Sequence, residues 1–443
     1  MIKDKLLFFF ILLACFSCSD DDNSVSQLNV LSITADGSSI ADGQNEVGLN
    51  PNITITFDAA IATKKFENSF NISPSASSSS FSYGNANTRV TINLELEPSE
   101  TFNISIEESA LGARGEVLSE PINFEVKTNA NTIAACTSAN SDCLGQLIFE
   151  DAGESYSLDY YANYPIDEEV NLDQIEKAII LVHGANRNND EYFQWMINSL
   201  NEVGAMQNTL LISPKFKDDS EAAQNELYWN SNNWREGTDA QSGLRISSFE
   251  VVDSLIARIA RKANNLSKVL VTGHSSGGLF THVYATANKI ENQLTSTSFD
   301  YIVANSQYFY YPGSERVNEN SNELYEPTDC GSYDFWPFGF NSIPNYLANT
   351  TEATLNNQLT NRSVYYLLGN GNQSDPSLNT SDCGAVLLGS TRYQRGENMF
   401  YFINQKFPDN NSKQVIVEGI GHNGQAMYQS TEFRDLLNDL LDQ

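Results

Sequence analysis

The pentapeptide Gly273-His274-Ser275-Ser276-Gly277 follows the apolar run Lys268-Val269-Leu270-Val271-Thr272 and precedes helix-forming sequence. Strand, then G-x-S-x-G, then helix makes a sharp turn that lifts one hydroxyl over a sheet edge, so Ser275 is the candidate nucleophile. The flanking glycines have a steric reason, because a Cβ in so tight a turn would meet the neighbouring strand and helix. A serine hydroxyl is a weak nucleophile until a base takes its proton, so a histidine is required. The chain has four histidines. His183 stands in a loop just after a strand, His274 adjoins the serine, and His282 lies about two turns along the next helix. None of these is placed to face the serine hydroxyl. His422, in Glu418-Gly419-Ile420-Gly421-His422-Asn423-Gly424 between the last strand and the final helix, is the candidate base.

These groups need a scaffold, and the sequence around them supplies one. Ala178 to Val182 and Thr209 to Ile212 are unbroken apolar runs that suit strands of a parallel sheet covered on both faces. A helix is expected between them over Glu191 to Val203. Ser247-Ser248-Phe249-Glu250 reads as a capping box, and the helix after it buries Val251, Val252, Leu255, Ile256 and Ile259. Tyr301 to Ala304, Val364 to Leu368 and Gln414 to Val417 are further strands, and a helix over Thr431 to Leu441 ends the chain. The spacing predicts one α/β domain over residues 150–443.

Residues 28–128 follow a different rhythm. Asn52 to Phe57, Thr88 to Leu94 and Ile122 to Val126 alternate apolar and polar positions between Asn, Gly and Pro turns, which predicts a β-sandwich. The stretch SITADGSSIADGQNEVGLNPNITITFDAAI resembles the bacterial Ig-like domains attached to secreted enzymes and surface proteins. That resemblance implies a spacer, with substrate binding as the minority alternative. Residues 129–149 read as a connector.

Net charge is −31, from 25 basic and 56 acidic residues. Such a balance argues against nucleic-acid binding, which needs clustered Lys and Arg. Lys3 and Lys5 precede an apolar run, Leu6 to Ala14, that is too short to span a bilayer as a helix. Cys15-Phe16-Ser17-Cys18-Ser19-Asp20-Asp21-Asp22 then resembles the lipoprotein signals of Bacteroidetes-type bacteria. The resemblance implies a signal peptide over residues 1–17, lipidation of Cys18, a tether over 18–27, and an outer-membrane or cell-surface location. Leu12-Leu13-Ala14-Cys15 is a competing lipobox. Cleavage before Cys18 leaves Cys136, Cys143, Cys330 and Cys383 as an even set, whereas cleavage before Cys15 strands Cys18 as an odd thiol. The expected bridges are Cys136–Cys143, which is local, and Cys330–Cys383, the remaining pair. A metal site is disfavoured, since no C-x-x-C pair exists and the histidines are scattered.

In order and type, the motifs after residue 150 resemble the α/β-hydrolase superfamily. The resemblance implies an α/β-hydrolase fold beside a separate N-terminal Ig-like sandwich, and a serine esterase acting through an acyl-enzyme. It places the triad acid between the serine and the histidine, in a loop after a late strand. Asp375 fits, within Gly369-Asn370-Gly371-Asn372-Gln373-Ser374-Asp375-Pro376, with Asp382 as runner-up. It also implies two oxyanion donors: the Ser276 N–H, aided by the helix dipole, and the Ala185 N–H in the His183-Gly184-Ala185-Asn186 loop. Aromatic-rich segments Tyr308-Phe309-Tyr310-Tyr311 and Tyr333-Asp334-Phe335-Trp336-Pro337-Phe338 fall where insertions cap the site in this superfamily. Those rings suit sugars, aryl esters or an acyl pocket, or are ordinary core. Extracellular polysaccharide esters, aryl esters, lipids and polyesters all remain open as substrates, as does peptide hydrolysis. An inactive hydrolase-fold lipoprotein that binds glycans is the non-enzymatic alternative. The expected partners are an ester substrate, polymeric or small, and a membrane reached through the lipid anchor. No redox cofactor or catalytic metal is implied.

Overall fold

A computed structural model describes residues 26–40, 45–107, 110–128, 134–166 and 172–442. The signal segment, both candidate lipidation cysteines (Cys15 and Cys18) and most of the tether lie outside the described residues. The chain divides into two units, residues 1–131 and 132–443.

Alternation builds the first unit. Asn52–Phe57 and Arg89–Glu95 bury every second side chain, Ile53, Ile55 and Phe57 in one and Val90, Ile92 and Leu94 in the other. A strand with one wet face must do so. Both lie in a five-stranded sheet ordered Ser38–Ser39, Val30–Ala35, Asn52–Phe57, Arg89–Glu95, Ser78–Gly84. A four-stranded sheet ordered Asn45–Val47, Ile122–Thr128, Thr101–Ile106, Phe70–Ser73 adds Phe102, Ile104, Ile106 and Val126 to the same core.

The second unit is built on unbroken apolar strands. Its strands are β1 (Leu144–Asp151), β2 (Glu154–Ala162), β3 (Lys177–Val182), β4 (Thr209–Pro214), β5 (Lys268–His274), β6 (Ser298–Ala304), β7 (Ser363–Gly369) and β8 (Lys413–Val417). They form one sheet in the order β1-β2-β4-β3-β5-β6-β7-β8. β2 is antiparallel to both neighbours, and all other pairings are parallel. The main helices are α1 (Asn189–Glu202), α2 (Ser248–Lys262), α3 (Ser276–Ala287), α4 (Arg392–Lys406) and α5 (Thr431–Leu441). Ala178, Ile180 and Val182 of β3 join one core with Leu255 of α2, Val283 of α3 and Phe402 of α4. Ile179 and Leu181 face the opposite core with Phe193 of α1 and Leu437 of α5. Each of the Val, Leu, Ile and Phe side chains among these contributes about 1.5–3 kcal/mol on full burial. This is the α/β-hydrolase fold, with β5 central and all seven of its residues buried.

The sheet begins earlier than the sequence pattern implied. β1 starts at Leu144, inside the segment read as a connector, and pairs along its whole length with β2. As an edge strand it leaves Leu144 48% and Ile148 41% exposed, so its sequence carries no clean buried face. Cys136–Cys143 closes the loop just before it, and Cys330–Cys383 joins the segment after β6 to the loop after β7. Among the described residues no helix is long and apolar enough to cross a membrane.

Candidate active site

β5 ends at His274 and α3 begins at Ser276, which leaves Ser275 alone in the turn with φ 61° and ψ −115°. A positive φ at a non-glycine residue costs about 1–3 kcal/mol and persists only where its surroundings enforce it. Here the enforcement is steric. A Cβ on Gly277 would fall 2.2 Å from the Val182 carbonyl oxygen, and one on Gly273 would fall 2.4 Å from the Gly277 backbone. Both glycines therefore let α3 start directly against the ends of β3 and β5. The Ser275 N–H donates to the Ala304 carbonyl at 3.0 Å, which ties the turn to β6 as well.

His422 follows β8 and lies beside the elbow, its ring stacked on His274 with centroids 5.0 Å apart. Its Nδ1 is 3.3 Å from Asp375 Oδ2 and 3.2 Å from Ser377 Oγ. The Ser377 hydroxyl donates its single proton to Asp375 Oδ1 at 2.6 Å, so toward His422 it can only accept. Both neighbours therefore place the proton on Nδ1 and leave Nε2 as an acceptor. Nε2 is buried with no protein hydrogen-bond partner. That is the tautomer a serine base requires. Asp382, the alternative acid, instead caps the short helix Cys383–Val386 by accepting from the Gly384 N–H.

Three residues that hold this arrangement had no signal in the sequence. Arg392, at the start of α4, donates from Nε and Nη2 to Asp375 Oδ2 at 2.8 and 2.6 Å. Its Nη1 reaches the Asn305 carbonyl at 3.1 Å. Asn305, just past β6, accepts from the Gly369 N–H and donates to the Gly421 carbonyl, joining the acid and histidine loops. Ser377 is the third. Burial alone would raise the pKa of Asp375, but the Ser377 hydroxyl bond and the Arg392 charge outweigh it and hold the carboxyl well below the usual range. Burial, then the Arg392 charge, pushes His422 down to about 4 against the opposing pull of Asp375. His274, fully enclosed, is also held neutral, chiefly by burial.

The two expected oxyanion donors lie on adjoining backbone. Ser276 occupies the first position of α3, where an N–H has no intrahelical acceptor. Ala185 is a central residue of the turn closed by the Arg187 N–H on the Gly184 carbonyl at 3.1 Å. A Cβ on Gly184 would lie 3.8 Å from the His274 carbonyl oxygen, so this turn flanks the elbow. Arg187 anchors it from below, donating to the carbonyls of Phe216, Trp229 and Ser231. His183 is buried structure, with Nε2 accepting from the Phe216 N–H and Nδ1 on the Gly184 carbonyl. His282 is likewise committed, to the Tyr310 carbonyl.

Residues 31–128 match a bacterial Ig-like domain family. No curated protein matches the chain. Among solved structures, the chain is similar to a poly(3-hydroxybutyrate) depolymerase from Bordetella parapertussis, at 19% identity and TM-score 0.46 over 65% of this chain and 87% of that one. It is also similar to poly(aspartic acid) hydrolase-1 from Sphingomonas sp. KT-1, at 16% identity and TM-score 0.46 over 68% and 98%. A fluorophosphonate-binding serine hydrolase of Staphylococcus aureus follows at 12% identity and TM-score 0.35 over 68% and 96%. Likenesses this distant add nothing to the strand order and the distances above.

The two aromatic segments part company. Phe309, Tyr310 and Tyr311 belong to the core, whereas Tyr308, buried with them, also lines a cleft, with the Arg235 guanidinium 4.9 Å over its ring. Phe335 is 45% exposed and Trp336 half-buried, at the edge of a cleft beside the elbow.

Proposed function

We propose that this chain is a lipid-anchored serine hydrolase that cleaves carboxylic esters. The observation that carries the reading is His422, held by Asp375 in the tautomer that leaves Nε2 bare beside a strained serine turn. As the Ser275 hydroxyl attacks the ester carbonyl, its proton passes to His422 Nε2. Asp375, kept ionised by Ser377 and Arg392, offsets the charge that forms on the imidazole. The carbonyl oxygen becomes an oxyanion facing the Ser276 and Ala185 N–H groups. The alcohol departs with the proton from Nε2, leaving an acyl-serine. Water, deprotonated by the same histidine, then releases the acid.

The anchor is the Cys18 lipid, on the sequence resemblance and because Cys136, Cys143, Cys330 and Cys383 pair in two bridges, so that cleavage before Cys15 would leave Cys18 an odd thiol. The location proposed is the outer membrane or cell surface.

Turnover of p-nitrophenyl acetate tests the assignment. Ser275→Ala should lower kcat by about 10³-fold or more while the thermal transition is retained. A fluorophosphonate probe should label the native chain and not the variant. An unchanged rate in Ser275→Ala removes the nucleophile assignment.

A further inference from the structure

A cleft of about 270 Å³ opens next to the elbow. Its wall includes Arg235, whose Nη1 donates to the Ser276 hydroxyl at 3.4 Å, one residue from the nucleophile. We propose that this cleft is a subsite for a neutral, polyhydroxylated ring, a sugar residue bearing the ester. The proposal rests on the ester-hydrolase reading and names its substrate class.

The lining decides between occupants. Arg235 and Glu236 form an ion pair at 3.2 Å, and Asn379 and Asp382 of the acid loop line the same cleft. Phe335 offers an exposed ring, and Tyr308, Trp336, Pro337 and Phe338 complete a largely aromatic side opposite in character to these charges. An alkyl chain would strip water from the Arg–Glu pair and from Asp382 without replacing its hydrogen bonds. A carboxylate would meet Glu236 and Asp382 while Arg235 is already paired, and an ammonium group would find Glu236 taken and gain only a weak, water-exposed pair with Asp382. Sugar hydroxyls donate and accept at once, so they can use both signs of charge. Their ring carbons present an apolar face of the kind an exposed aromatic ring covers. Ligand sites for larger molecules usually run to about 300–1,000 Å³. The smaller volume here suits one ring, with any polymer continuing into solvent.

The subsite is also preformed. Asn379 donates from Nδ2 to the Tyr308 hydroxyl at 3.1 Å, and its N–H bonds Gln307 Oε1 at 2.7 Å. Trp336 Nε1 donates to the Glu236 carbonyl at 2.7 Å, joining the cap segment to the Arg235 loop. Cys330–Cys383 joins the same cap segment to the acid loop. A ligand would lose little to ordering such walls.

Phe335→Ala separates this role from catalysis, since Phe335 touches none of the triad or oxyanion groups. With a mono-acetylated methyl glucoside, KM should rise about tenfold or more, the scale of a lost pocket contact. With p-nitrophenyl acetate, kcat/KM should stay within about twofold. p-Nitrophenyl decanoate and the p-nitrophenyl ester of succinic acid stand for apolar and anionic occupants. A KM rise for either that matches the glucoside, or no rise for the glucoside, overturns the proposal. Binding of methyl glucoside to Ser275→Ala, followed by NMR line broadening, keeps the two readings apart. Binding that Phe335→Ala abolishes, in a chain that hydrolyses no ester, would uphold the subsite and remove the hydrolase reading. Ester turnover with no glucoside binding would do the reverse.

Discussion

Ser275 owes its position to its chain neighbours. β5 delivers it, α3 carries it away, and Gly273 and Gly277 let the two pack without a Cβ between them. His422 and Asp375 owe theirs to distant partners: Arg392 lies 17 residues beyond the acid, and the Arg392 bond to Asn305 spans 87 residues. One half of the site is thus set by local sterics and the other by a long-range polar network. The first half should fail by unfolding the turn when perturbed, the second by losing charge balance while the fold survives.

Among variants that keep the nucleophile, the largest effect expected belongs to the polar half. Asp375→Asn should lower kcat by up to about 10⁴-fold, because an amide can present its NH₂ to His422 and favour the wrong tautomer. Asp382→Asn should change kcat less than about threefold, since an asparagine caps a helix about as well as an aspartate. Steady-state kinetics on the two variants would decide which carboxylate serves the histidine. Equal losses would break the contrast between a site acid and a capping acid.

That pair also shows what could be read without coordinates. Ser275 and His422 stood out because strand, glycine turn and helix are contiguous, so a few residues carry the whole geometry. Asp375 and Asp382 sit in one amide-rich loop, where only a contact across the fold separates them. Arg392 was invisible, because an arginine one residue past the Thr391 helix cap looks like any surface cation until the acid loop folds onto it. β1 was missed for a different reason, since a half-exposed edge strand loses the alternation that marks a buried one. The aromatic run Tyr308 to Tyr311 carried too little information to separate core from binding surface: Phe309, Tyr310 and Tyr311 went to the core, and Tyr308 to the cleft wall as well.

The local half is sharpened by Gly277→Ala. The added methyl would meet the Val182 carbonyl oxygen at 2.2 Å and the His183 carbonyl oxygen at 2.7 Å, and backbone there has little slack because Val182 is paired with Gly273 of β5. Overpacking of this kind costs about 1–3 kcal/mol, occasionally more. The upper end applies here, and chemical denaturation should detect it as a lower midpoint. Activity per folded molecule should fall as well, because α3 must retreat and take the Ser276 N–H with it. A fully stable variant with full activity would mean that the elbow is not sterically set.

Arg392→Gln tests the polar half through pH. With His422 as the proposed base, catalysis needs it neutral, so kcat/KM should fall as pH drops through the histidine pKa of the free enzyme. Burial and the Arg392 charge both disfavour the imidazolium, which places that fall near pH 4, below the ordinary histidine value of about 6.5. Glutamine keeps a donor for Asp375 but removes the cation. Protonation of His422 then becomes easier, its pKa rises, and the acid limb should move upward from about 4 toward 6.5. At pH 5 the variant should lose activity that it recovers at pH 8, where the base is neutral in both proteins. A packing role alone would lower the plateau and leave the limb where it was. An unmoved limb would therefore reduce Arg392 to a structural clamp, and the site's two halves would differ only in how far apart their parts lie in the chain.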